Sequence, residues 1–114
     1  GHYAFGYASE FQEFNIFPVG GETLTQSLEM CREVHMRLGD ILVKEYGPLA
    51  KMVNSAGGYS VKCRSARRTF EYILGAAFAA ATAAAQDTAT TAFAPRRALL
   101  GVPSSLIMAK SILR

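Results

Sequence analysis

Phe11-Gln12-Glu13-Phe14-Asn15-Ile16-Phe17-Pro18-Val19-Gly20 is an apolar, aromatic run with a Gln-Glu pair in its middle, closed by Pro and Gly. The aromatic and β-branched content of residues 11–17 predicts a strand, and Pro18 with Gly20-Gly21 ends it. Strands rarely bury a carboxylate unless it is paired or at work. From the residues alone, Glu13 reads either as an edge-strand acid turned to solvent or as a carboxylate held on a strand for chemistry. Upstream, residues 1–10 read as an irregular aromatic lead. Tyr3, Phe5 and Tyr7 alternate there, so an edge strand is the competing reading.

A helix should follow the turn. Thr23 with Gln26 three residues on forms a capping box, which satisfies orphan amide donors at a helix start. Leu24, Leu28, Cys31, Val34, Leu38 and Ile41 recur at spacings of three and four and share one face. Glu29–Arg32 and Glu33–Arg37 are favourable pairs beside that stripe. Gly39 interrupts the pattern at a cost of about 1 kcal/mol relative to alanine, and Gly47-Pro48 ends it. His35 reads as a helix-surface residue beside the stripe. Farther on, Gly57-Gly58 marks a tight turn or a close backbone approach.

Residues 63–85 predict a second helix, with Arg67–Glu71 as an i,i+4 pair. From Gly75 to Ala94 the chain is nearly all Ala, Thr and Phe. Alanine favours helix but offers little surface, so this tract is expected not to anchor a core. Thr88, Thr90 and Thr91 argue against helix there, and Pro95-Arg96-Arg97 breaks the chain. A last helix is expected from Ser104 or Ser105 onward.

The 114 residues allow one compact domain. Half are hydrophobic and 18% are charged, which excludes general disorder. The net charge of +3 is too weak to imply nucleic acid. Lys62, Arg64, Arg67 and Arg68 cluster at a predicted helix start, where an anionic partner would offset the helix dipole; a solvated face is the default. Cys31 and Cys63 lack metal-site spacing and fit a reducing compartment, with a single structural disulfide between them as the alternative. No apolar run is long enough for a membrane span. The start at Gly1 suggests a processed product or a piece of a longer chain.

Gln12-Glu13-Phe14, Pro18-Val19-Gly20, Glu33-Val34, Lys44-Glu45-Tyr46-Gly47 and Gly57-Gly58-Tyr59 stand in ungapped register with motifs of the enolases. The chain from about Gly6 to Tyr59 resembles an interior slice of that family. Cys63-Arg64-Ser65-Ala66-Arg67 is similar to the segment that opens the last enolase helix. The resemblance implies an α/β fold, a slice of an enolase-type TIM barrel, realised in this chain as mostly helix with one or two strands. It divides the chain into a strand–helix–loop slice, residues 1–62, and a helical, alanine-rich remainder, residues 63–114.

The implied parent reaction is dehydration of 2-phosphoglycerate to phosphoenolpyruvate by a magnesium-dependent, cytoplasmic, homodimeric glycolytic lyase. Glu13 matches a glutamate on the acid side of that reaction. Gln12 matches its site-facing neighbour. His2 stands for the family's loop histidine only with a local insertion, because the ungapped register puts Ala4 there.

The departures are equally specific. Ser55-Ala56 replace the family's Asp-Glu before the paired glycines, which removes the partner acid. Magnesium takes hard oxygen ligands, usually carboxylates, and downstream of Glu71 the chain has only Asp87. No metal ligand is assigned, and neither Lys62 nor Lys110 has the context of the family's lysine base. A barrel of eight strands takes about 250 residues. The expectation is therefore an enolase-like fragment, inactive alone. The alternative is a non-enzymatic helical interaction protein that binds a partner through the helix stripe and the basic patch at 62–68.

Overall fold

The computed structural model describes residue 11, residues 13–90 and residues 107–110. Strand β1 spans Glu13–Ile16, helix α1 spans Leu24–Tyr46, and a 3-10 turn spans Pro48–Lys51. Helix α2 follows at Ala66–Thr90 and strand β2 at Ile107–Lys110. The described residues are thus mostly helical with a two-stranded sheet, and they close no barrel.

Helix α1 starts as its capping residues dictate. The Thr23 hydroxyl accepts from the Gln26 amide at 3.2 Å. The Gln26 side chain reaches back to the Glu22 amide at 2.9 Å, one residue before the cap. At the other end Gly47 takes φ 87°, a backbone state that favours glycine, and its N–H donates to Val43 O at 2.9 Å. Of the two expected ion pairs, Glu33–Arg37 forms at 2.8 Å. Arg32 pairs with Glu33 at 3.9 Å instead of Glu29 and also donates to the Met36 sulfur.

Helix α2 starts three residues later than expected. The Ser65 hydroxyl accepts from the Arg68 amide at 3.2 Å and so sets its first turn. Thr88 does not stop it, and the helix runs on to Thr90; Thr91 and the Pro95-Arg96-Arg97 break lie outside the described residues. The alanine tract also does what composition argued against. Ala76, Ala77 and Ala80 are buried against Val34, with Ile16, Leu38 and Ile41 packed around them. Small side chains let two helix axes approach, and α1 supplies the large partners. A second cluster joins Leu42, Ala50 and Tyr72.

Only part of the predicted α1 stripe reaches this core. Within the stripe Val34 is buried and Cys31, Leu38 and Ile41 are half-buried, whereas Leu24 is 76% and Leu28 is 61% exposed; Leu42, outside the predicted stripe, is buried as well. The expected C-terminal helix is replaced over its described part by β2, which pairs antiparallel with β1, Glu13 opposite Lys110 and Ile16 opposite Ile107. A short apolar run does not declare its own period. The unpaired backbone groups of β1 supply the reason to extend. Residues 104–106 and 111–114 lie outside the described residues, as does the edge-strand reading at Tyr3, Phe5 and Tyr7.

Candidate functional site: a cleft between β1 and the Asn54 loop

A cleft of about 420 Å³ opens between β1, α1, the start of α2 and the loop that follows the 3-10 turn. Glu13, Asn15 and Phe14 line it from β1, and His35 and Leu38 from α1. Asn54, Ala56, Tyr59 and Ser60 line it from the loop, and Cys63, Thr69 and Tyr72 complete it. Glu13 is exposed at the head of its strand. Among the described residues it is the sole carboxylate that lines the cleft, and no described lysine or arginine lines it. Gln12 and His2 lie outside the described residues.

Asn54 organises the opposite wall. Its side-chain oxygen accepts from the amides of Ala56 at 2.9 Å and Gly58 at 3.2 Å. Its own amide N–H donates to Gly58 O, and Gly57 N–H donates back to Asn54 O, each at 2.9 Å. Gly57 sits at φ 81°, which explains the first of the paired glycines. The Asn54 amide nitrogen donates to the buried Ser60 hydroxyl at 3.3 Å. These polar groups satisfy one another.

His35 and Gly39, read from sequence as a surface histidine and a helix defect, hold this loop. The His35 Nε2–H donates to Gly57 O at 3.1 Å, which assigns the tautomer. Its ring stacks on Tyr59 with centroids 4.2 Å apart and planes at 18°. A Cβ on Gly39 would stand 2.5 Å from the Tyr59 hydroxyl oxygen. The missing side chain at Gly39 is the room Tyr59 occupies. A glycine inside a well-capped amphipathic helix, with an aromatic just after a Gly-Gly turn, was the available signal.

At the far end of the cleft Tyr72 ties the two helices. Its hydroxyl donates to Glu45 at 3.3 Å and accepts from Arg68 at 3.1 Å, while the Arg68 guanidinium lies 4.8 Å from the ring centroid. Arg68 also pairs with Glu71 at 3.1 Å, as does Arg67 at 3.2 Å. Two of the four cations in the basic patch are therefore engaged within the chain, while Lys62 and Arg64 remain exposed. Burial and the adjacent Tyr72 hydroxyl push the Tyr46 phenol well above its ordinary range. Cys31 and Cys63 are both free thiols.

The C-terminal TIM barrel domain of enolase matches this chain over residues 1–95. The chain belongs to that family. The enolase of Methanococcus aeolicus is 35% identical over 71 residues, which cover 62% of this chain and 17% of that protein. The enolase of Methanopyrus kandleri is 40% identical over 55 residues, covering 48% of this chain and 13% of that protein. The enolase of Aeropyrum pernix is 32% identical over 71 residues, covering 62% and 16%. The chain thus spans less than a fifth of the length of these curated relatives.

Within the family frame, the cleft brings Glu13 and Ala56 to one cavity. Ala56 occupies the position where the resemblance calls for the partner glutamate. Among the described residues no group of three or more His, Cys, Asp or Glu is placed to hold a metal ion. A single carboxylate beside neutral Asn and Ser side chains does not fit a magnesium site, which asks for several hard oxygen donors. Among the described residues, no helix is long and apolar enough to cross a membrane.

Proposed function

We propose that this chain is the strand–helix–loop portion of an enolase-type barrel, and that by itself it does not carry out the family's reaction. The parent chemistry is the magnesium-dependent dehydration of 2-phosphoglycerate to phosphoenolpyruvate, a cytoplasmic step of glycolysis. Glu13 holds the place of a carboxylate on the acid side. By the family resemblance Gln12 and, given a local insertion, His2 match its substrate-binding companions, and homodimer formation belongs to the parent assembly. Residues 1–62 are assigned to the barrel slice and residues 63–114 to the alanine-rich remainder, of which Ala66–Thr90 is helix and Ile107–Lys110 strand.

The observation that carries this reading is the pairing of Glu13 with Ala56 across one cleft. A proton next to a carboxylate is weakly acidic, so its removal needs a base and strong stabilisation of the developing charge. Among the described residues the cleft offers one acid, no lysine base and no cation to meet a phosphorylated, carboxylated substrate. The test is turnover of 2-phosphoglycerate with magnesium, followed by the absorbance of phosphoenolpyruvate. No turnover is expected. Measurable turnover that disappears in Glu13→Gln would overturn the reading.

The exposed Leu24 and Leu28 favour the alternative of a helical interaction protein. Apolar side chains on one face of a helix seek cover. The basic half of that alternative rests on Lys62 and Arg64, since Arg67 and Arg68 are taken up by Glu71 and Glu45.

A further inference from the structure

The segment from Val53 to Val61 is built as one body. Val53 and Tyr59 form an antiparallel bridge. The Asn54 side chain and main chain bind Ala56, Gly57 and Gly58 from within. None of these bonds involves α1. The body is fastened to α1 separately, by the His35 hydrogen bond to Gly57 O, by the His35–Tyr59 stack and by the entry of Tyr59 over Gly39. A salt bridge of 2.6 Å between Lys51 and Asp40 anchors its root.

We propose that His35 and Gly39 form a seat on α1 that latches the 53–61 loop as a movable wall of the cleft, with the Tyr59 ring as the bolt. The internal bonds are distinct from the seat, so losing the seat loosens the loop without dissolving it, while Val61 stays packed against the Leu42, Ala50 and Tyr72 cluster. Such a unit swings on its stems as a rigid piece. The stems are the residues on either side, after the 3-10 turn and before α2. His35 and Gly39 are positioning residues here, because they act on the cleft through Tyr59 and Gly57. The seat also accounts for a helix-weakening glycine in the middle of α1. The inference stands apart from the enolase reading and does not depend on turnover.

Thiol alkylation of the full chain tests it. Cys63 lines the cleft and reports its opening, whereas Cys31 faces β1 through Ile16 O and serves as the internal reference. In His35→Ala and in Gly39→Ala the ratio of the Cys63 rate to the Cys31 rate should rise several-fold. Alanine at position 39 favours the helix, so unfolding of α1 does not explain such a rise. In His35→Gln the ratio should return most of the way to the parent value, because the glutamine N–H can donate to Gly57 O. An unchanged ratio in either alanine variant overturns the latch. So does equal acceleration of both cysteines, or His35→Gln behaving as His35→Ala.

Discussion

Lys51 holds the Asp40 carboxyl below its ordinary value through a direct hydrogen bond, and Arg68 with Arg67 does the same for Glu71. Both acids lie at the surface, where solvent screens their ion pairs, so each contribution is small. The sign is nevertheless fixed. A lowered folded-state pKa gives stability that is present above the unfolded values of 3.8 and 4.5 and is lost as pH falls below them. At the alkaline end the raised Tyr46 and Tyr59 phenols act in the opposite sense, burial being the main cause in each. Their stabilisation is complete below the unfolded value of 10.0 and fades as pH rises past it. Denaturation midpoints measured across pH should therefore fall at both ends, and Lys51→Met should flatten the acid limb. Thr23→Ala should cost about 1 kcal/mol by removing the α1 cap, read from urea denaturation. That cap was legible in the residues, because a capping box is local. The partners of His35 and Gly39 were not, because they come from a loop whose path no local spacing encodes.

At the scale of elements, the seam between α1 and α2 carries the core. Ala76 is 0% exposed and Phe78, two residues on, is 76% exposed. Size therefore misleads on this helix. Ala76→Leu should destabilise by about 1–3 kcal/mol through overpacking. Phe78→Ala should stay within about 0.5 kcal/mol, as exposed substitutions do. Helical circular dichroism followed against urea distinguishes the two. The periodicity of α1 revealed the element and its inner face, but not that Leu24 and Leu28 would lie beyond the reach of α2. For α2 the residues pointed to a helix and away from a core, since alanine's contribution depends on what approaches it. The β2 reading failed because an apolar run of a few residues acquires its period from the neighbour it pairs with.

For the molecule as a whole, no large side chain among the described residues is fully buried, and the position at 0% exposure is the small Ala76. The apolar area removed from water, at roughly 25 cal/mol per Å², has to offset about 1–2 kcal/mol of backbone entropy per ordered residue. A broad thermal transition at low temperature is expected from scanning calorimetry of the isolated chain. A sharp, high-temperature, two-state transition would contradict that.

The pairing of β1 with β2 has a consequence for descent from a barrel. Each strand of a (β/α)8 barrel lies between two parallel neighbours. Strand β1 has instead taken an antiparallel neighbour from residues 107–110, past the stretch matched by the family. Antiparallel and parallel ladders place their hydrogen bonds differently, so one edge cannot serve both. Membership in a ring of strands and the present antiparallel pairing are therefore rival claims on the same row of amides. A polypeptide that offered β1 its ancestral neighbour would have to evict its current one first.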